Sequence, residues 1–161
     1  DLRTVLTDAS TLLQNTPELN ATHRISVNVP DVPVWCMADE AQIRQIVWNL
    51  ATNGLRAMAD GGRLRLVAEA SDGQTVGLRV EDQGCGIAPA DIDRIFQPFK
   101  SSFDKGTGLG LATVHRIVTD AKGTIHVSSR VGEGTAMRVV LPAVHGQGAS
   151  DREPELAGAA S

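Results

Sequence analysis

Apolar residues recur first at helical spacing. Leu2, Val5, Leu6, Ala9, Leu12 and Leu13 of "DLRTVLTDASTLLQN" share one face of a predicted helix. The period then drops to two. In "HRISVNVP", Ile25, Val27 and Val29 alternate with polar residues, predicting a strand closed by Pro30. A short apolar run, "VWCM", precedes a second helix predicted from Asp39 to about Met58 and ended by "DGG". Asp39 caps it, Gln42 stands in the capping-box position, and Ile43, Ile46, Val47, Leu50 and Ala57 form its core stripe.

"RLRLVAEA" and "TVGLRVED" read as strands around a turn at "SDGQ", and a loop-rich stretch runs from Gln83 to Gly110. A third helix is predicted over roughly Leu111 to Ala121, with Gly123 as its C-terminal cap. "TIHVSS" and "TAMRVVLP" are the last strands, joined at "VGEG". Residues 143–161 are small and polar without periodicity, so that tail is expected to be disordered. Paired strands with helices between them predict an α+β fold: a two-layer α/β sandwich whose mixed sheet is covered on one face by helices.

Composition narrows the function only slightly. The 161 residues suffice for one domain with a real core, and 42% apolar and 21% charged residues are ordinary for a soluble protein. A net charge of −4 argues against a nucleic-acid partner or an anionic membrane. No apolar run reaches spanning length. Cys36 and Cys85 suggest neither a disulfide framework nor a metal cluster, so a reduced, cytoplasmic setting is expected. Because the chain starts at Asp1 without a Met, it is expected to be a piece of something longer.

The informative residues are polar ones that interrupt the pattern. On the second helix Asn49, Asn53 and Arg56 fall within an arc of about 60°, bordered by Gln45. Amide oxygens in line with a fixed cation suit a magnesium ion and its phosphates. A solvated helix face would carry the same residues. Asp82 continues the inward row of Val76, Leu78 and Val80, where a carboxylate needs donors. Either an adenine amino group or the amides of the following turn, "DQGCGI", would supply them. Thr135 opens the row of Met137, Val139 and Leu141, as a water-sharing ligand contact or an ordinary strand residue. "GTGLGL" leads into a helix N-terminus, whose free amides favour an anion. It lacks the G-K-[ST] ending of a Walker loop, and no strand leads directly into it as in a Rossmann fingerprint.

Taken in order, these segments resemble the catalytic, ATP-binding domain of bacterial sensor histidine kinases, within the superfamily shared by DNA gyrase, the mismatch-repair ATPases and a heat-shock chaperone. "QIVWNLATNGLRAM" resembles the N-box, "DQGCGI" the first glycine box, "FQPF" the F-box, "GTGLGL" the second glycine box and "GEGTAMRVVLP" the closing strand. The resemblance spans residues 1–142, with 1–15 as linker and first helix, and implies a Bergerat-type fold with an ATP lid. It implies ATP and Mg2+ as cofactors, with ADP as product.

By the same resemblance Asn53 coordinates magnesium, and Asn49 and Arg56 stand near the triphosphate as the catalytic set with it. Asp82 binds the adenine amino group, with Gly84, Gly86 and Ile87 on the pocket wall and Thr135 nearby. Gly106, Thr107, Gly108, Leu109, Gly110 and Leu111 touch phosphates at the end of a lid spanning about Ile92 to Thr107. Phe96 and Phe99 anchor that lid, and Lys100 and Lys105 are its phosphate contacts.

Three positions depart from the family pattern: Gly54 stands for the usual alanine, Arg56 for a common lysine, and "AKG" for His-Gly-Gly. None of His23, His115, His126 or His145 has the context of a phosphoacceptor. The implied partners are therefore a phosphoacceptor hairpin domain of the same parent and a downstream response regulator. Neither nucleic acid nor membrane contact is expected of this chain itself, whether or not the parent is membrane-anchored. The hydrolysing relatives place a glutamate base where Asn49 stands, and an amide accepts no proton at neutral pH. The alternative to a kinase is a non-catalytic nucleotide-binding regulatory module.

Overall fold

The computed structural model describes residues 1–70, 73–98 and 109–144. Helix α1, Leu2–Leu13, begins where the Asp1 carboxylate accepts the Arg3 amide at 3.0 Å. It buries Leu2, Val5, Leu6, Ala9 and Leu13, so the expected first helix is part of the core. Leu12 lies about 80° off the middle of that arc and is left 57% exposed.

Strand β1, His23–Asn28, runs parallel to β2, Gly62–Glu69. A parallel pair needs a long crossover, which helix α2, Glu40–Ala57, supplies. Strand β3, Thr75–Asp82, returns antiparallel to β2, and β5, Gly134–Pro142, lies antiparallel to both β3 and β4, Thr124–Arg130. The five-stranded mixed sheet has the order β1-β2-β3-β5-β4. Helix α3, Gly110–Asp120, completes the helical layer beside α2.

Period-two alternation builds the sheet side of the core from Leu64 and Leu66, Leu78 and Val80, and Val139 and Leu141. Ile43, Ile46, Val47 and Leu50 of α2 close over it, joined by Ala51 and Leu55. Each such side chain stabilises the fold by about 1.5–3 kcal/mol. Ala57, at the helix end, is only half-buried.

Two boundaries shift from those expected. Strand β1 stops at Asn28, opposite Val67, so Val29 falls outside the ladder and is exposed. At the other end Ala143 and Val144 are not free tail. Their amides bond to the carbonyls of Gln74 and Trp35 at 2.8 and 3.1 Å, and Ala143 bridges Cys36.

The end of α3 corrects the cap assignment. Lys122, at φ 60°, is the left-handed residue, with its amide on Thr119 and the Gly123 amide on Val118. Gly123 is needed for space: a Cβ there would lie 2.4 Å from the Val140 carbonyl oxygen. Lys122→Gly should therefore raise stability by about 1 kcal/mol, because a left-handed conformation strains a side chain. Gly123→Ala should lower it. Urea unfolding of both variants checks the pair of signs.

Candidate functional site

The site is assembled around the solvent-facing side of α2. Asp39 starts that helix by accepting the Ala41 and Gln42 amides at 2.8 and 3.3 Å. Asn49, half-buried, donates from Nδ2 to the Gly110 carbonyl at 3.3 Å, tying α2 to the first residue of α3. Asn53 lies one turn on, also half-buried. Arg56 follows on the same side, and its guanidinium is engaged by Glu18 of the α1–β1 loop at 3.1 Å. Glu18 also accepts the Thr16 hydroxyl, which is the main cause holding its carboxyl below the usual range, with Arg56 contributing. Glu18 is a site neighbour that no sequence period reveals, because a loop residue reached this helix through tertiary packing.

Asp82 ends β3 beneath this helix. A Cβ on Gly54 would lie 3.2 Å from the Asp82 Cβ and 3.4 Å from Oδ2, so the carboxylate sits directly against the helix at Gly54. The glycine that costs helix propensity thus allows α2 and Asp82 to approach. Oδ1 accepts the Gly84 amide at 2.8 Å. Burial pushes the Asp82 carboxyl above its ordinary value, and the amides of Gly84 and Thr135 only partly oppose it. The turn amides do bond to this carboxylate, yet they leave it destabilised in its charged form.

The glycine turn after Asp82 is stitched on both sides. The Cys85 amide bonds to the Ala57 carbonyl at 3.0 Å, and the Cys85 carbonyl accepts the Gly132 amide at 2.8 Å. Gly86 has φ 74°, and a Cβ there would sit 2.1 Å from the Arg130 carbonyl oxygen, so only glycine fits. The Ile87 amide donates to Ser129 Oγ at 2.8 Å. Ser129 is also 2.8 Å from the Thr135 hydroxyl and donates to the Gly134 carbonyl at 3.0 Å. Thr135 is thereby a buried strut linking the pocket wall to the sheet. Ser129 continues the inward row of Ile125 and Val127, a period-two signal already present in the sequence.

In the segment expected to form a lid, Ile92–Arg94 makes a single 3-10 turn. The Phe96 ring lies 5.5 Å, centre to centre, from that of His115 on α3. Leu109, Gly110 and Leu111 lie at the start of α3, with Leu109 exposed and Gly110 beside Asn49. Phe99, Lys100, Lys105, Gly106, Thr107 and Gly108 lie outside the described residues.

The structure therefore brings Asn49, Asn53, Asp82, the glycine turn and the start of α3 to one end of the sandwich. A nucleotide fits this chemistry: an acceptor for an exocyclic amine at one side, amide groups and a helix start at the other. Among the described residues no group of three or more His, Cys, Asp or Glu could cage a metal. One amide oxygen suits a magnesium ion held mostly by phosphates and water.

Residues 38–145 match the family described as histidine kinase-, DNA gyrase B- and HSP90-like ATPases, and the chain belongs to that family. It is 44% identical over 69 residues to the sensor protein TorS of Escherichia coli, covering 43% of this chain and 7% of TorS. With sporulation kinase A of Bacillus subtilis it shares 32% identity over 105 residues, 65% of this chain and 17% of the kinase. It thus spans only a small part of the length of both relatives. Among solved structures, full-length ShkA in complex with AMPPNP superposes with a TM-score of 0.80 at 31% identity, over 91% of this chain and 31% of ShkA. The mycobacterial sensor histidine kinase MprB gives 0.78 at 26% identity, over 89% of this chain and 95% of that one. The fold is that of histidine kinase catalytic domains.

Asp82 generates a paired prediction. Its raised value means the charged form costs folding free energy: the cost is absent well below the ordinary carboxylate range, begins as pH rises through that range, and is full once pH is above the raised value. Asp82→Asn removes that cost while keeping an acceptor for Gly84. The variant should be at least as stable as the parent at pH 7. It should nonetheless lose adenosine affinity by on the order of 2–3 kcal/mol, since a donor can now face the amine. Thermal unfolding beside calorimetric titration reads both signs.

Proposed function

We propose that this chain binds Mg-ATP and passes its γ-phosphate to a histidine on a helical-hairpin domain of the same parent protein, in a two-component signalling relay. The supporting observation is the placement of Asp82 against Gly54, with Asn53 and Asn49 following one helical side towards the start of α3. Base recognition and phosphate handling then lie along one line.

When bound, Mg-ATP supplies the activated phosphoryl group. Asp82 accepts from the adenine amine and sets the orientation of the base. Gly84, Gly86 and Ile87 form the wall that excludes water beside it. Asn53 offers a carbonyl oxygen to the cation. Asn49 holds α3 in place and cannot act as a base for water, which favours transfer over hydrolysis. Arg56 reaches the phosphates by exchanging its Glu18 partner for them; a guanidinium pairs equally well with either anion.

The decisive experiment mixes the chain with a separately expressed hairpin domain and Mg-ATP, and follows phosphate on histidine. Phosphohistidine formation supports the proposal. Tight Mg-ATP binding without transfer would instead favour the regulatory-module reading. Asn53→Ala should lose phosphotransfer far more than adenosine affinity, and a parallel fall would remove Asn53 from the metal.

Glu18 adds a further prediction. Glu18→Gln removes the competing charge and should tighten ATP several-fold while leaving adenosine unchanged. It should also cost some stability above the ordinary carboxylate range, because a lowered value stabilises the fold there and is lost as pH falls through it. Calorimetry with both ligands separates the two effects.

A further inference from the structure

One buried titratable side chain takes no part in the chemistry of the nucleotide site. His23 opens β1, and the period of two places it in one inward row with Ile25 and Val27. It is only 5% exposed. The Asn20 amide donates to its Nδ1 at 3.1 Å, and its Nε2 donates to the Met58 carbonyl at 2.7 Å. A peptide N–H only donates and a carbonyl only accepts, so these two partners fix the tautomer.

Both partners belong to the segments that carry the Glu18–Arg56 pair. Met58 follows α2 directly, and its carbonyl also takes the Gly61 amide at 3.0 Å. Asn20 stands just beyond Glu18 in the α1–β1 loop. The imidazole therefore ties the loop to the helix end at one point, and the ion pair at 3.1 Å ties them at a second.

The loop is fixed on the other side of Glu18 as well. Thr16 is buried, and its hydroxyl bonds to the Glu18 carboxylate. The Leu19 amide closes one turn on the Thr16 carbonyl at 3.2 Å, and the His23 amide closes the next on Asn20 at 3.1 Å. An ion pair between mobile side chains is weakened by the entropy of ordering them. Fixing the backbone on both sides of Glu18 lowers that cost. The glycine turn is held to the helix separately, through the Cys85 amide on Ala57 at 3.0 Å and the Gln83 amide on the Met58 sulfur at 3.3 Å. Releasing the loop thus leaves the base side of the site in place.

We propose that His23 is a positioning residue for phosphate binding: by bridging Asn20 and Met58 it holds Glu18 on Arg56, and so sets how far a triphosphate can claim that cation. The proposal rests on the reading that Arg56 meets the phosphates. His23 itself touches no nucleotide.

The test titrates ATP and adenosine calorimetrically into the chain and its variants. His23→Gln keeps a donor for Met58 and loses the acceptor for Asn20, whereas His23→Asn keeps the acceptor and loses the donor. Either cut separates loop from helix. Each should tighten ATP about threefold, the scale of one partly exposed ion pair, and leave adenosine unchanged. Thermal unfolding confirms that each variant folds. In a Glu18→Gln background neither substitution should add a gain, because the pair through which they act is gone.

An equal fall in ATP and adenosine affinity would make His23 a residue that only holds the fold, and would overturn the proposal. So would an undiminished gain in the absence of Glu18. A gain from Glu18→Gln with none from the His23 variants would overturn the role of His23 alone. No gain from Glu18→Gln itself would refute the Arg56 reading and the His23 role with it. The unmodified chain provides a check that needs no variant. Hydrogen exchange at the Asn20 amide should quicken with ATP bound and not with adenosine, because a triphosphate displaces Glu18. Equal protection in the two complexes would contradict the proposal.

Discussion

A carboxylate held partly out of water, against the backbone of a helix, is the constraint on which the site depends. Asp82 is buried enough that its charged form is disfavoured, yet only the Gly84 and Thr135 amides oppose that effect. Gly54 in α2 lets helix and carboxylate approach closely, since a Cβ there would lie 2.8 Å from Leu64 Cδ1 and 3.2 Å from the Asp82 Cβ. It also requires the turn after Asp82 to fold back on the end of α2 through Cys85 and Ala57. A destabilised acceptor is a poor structural element and a good recognition element, because a ligand donor recovers what burial costs.

That constraint propagates outward through short polar links. Ser129 connects the Ile87 amide, the Gly134 carbonyl and the Thr135 hydroxyl, so the glycine turn is tied to β4 and β5. Asn49 connects α2 to the start of α3. The Glu18–Arg56 pair places a cation beside the same helix and keeps it neutralised until another anion competes.

Much of this was legible in the sequence, for identifiable reasons. Alternation located the strands, and the Asn49–Asn53–Arg56 arc and the inward Asp82 stood out as polar residues on otherwise regular patterns. What the sequence did not carry was long-range. Nothing local foretells that Glu18 meets Arg56, or that Ala143 returns to Cys36. Glycine was read by its commonest use at Gly123 and mistaken: it makes room for Val140 while Lys122 takes the left-handed turn, and Gly54, noted only as a departure from alanine, makes room for Asp82. Clearance between elements is a property of packing, which no single segment encodes. Leu12 and Val29 fit their periods and are still exposed, because a period fixes a direction and the neighbouring elements decide whether it is covered.

The central claim is that Asp82 stays ionised at a cost so that it can accept a hydrogen bond from the base. Carbon-13 NMR titration of its carboxyl group, in the free chain and with ADP bound, tests this directly. The account predicts a value above the ordinary aspartate range in the free chain and a lower one with ADP, since a ligand that donates to the carboxylate must favour its charged form. An unshifted or rising value on binding would show that the base is recognised elsewhere.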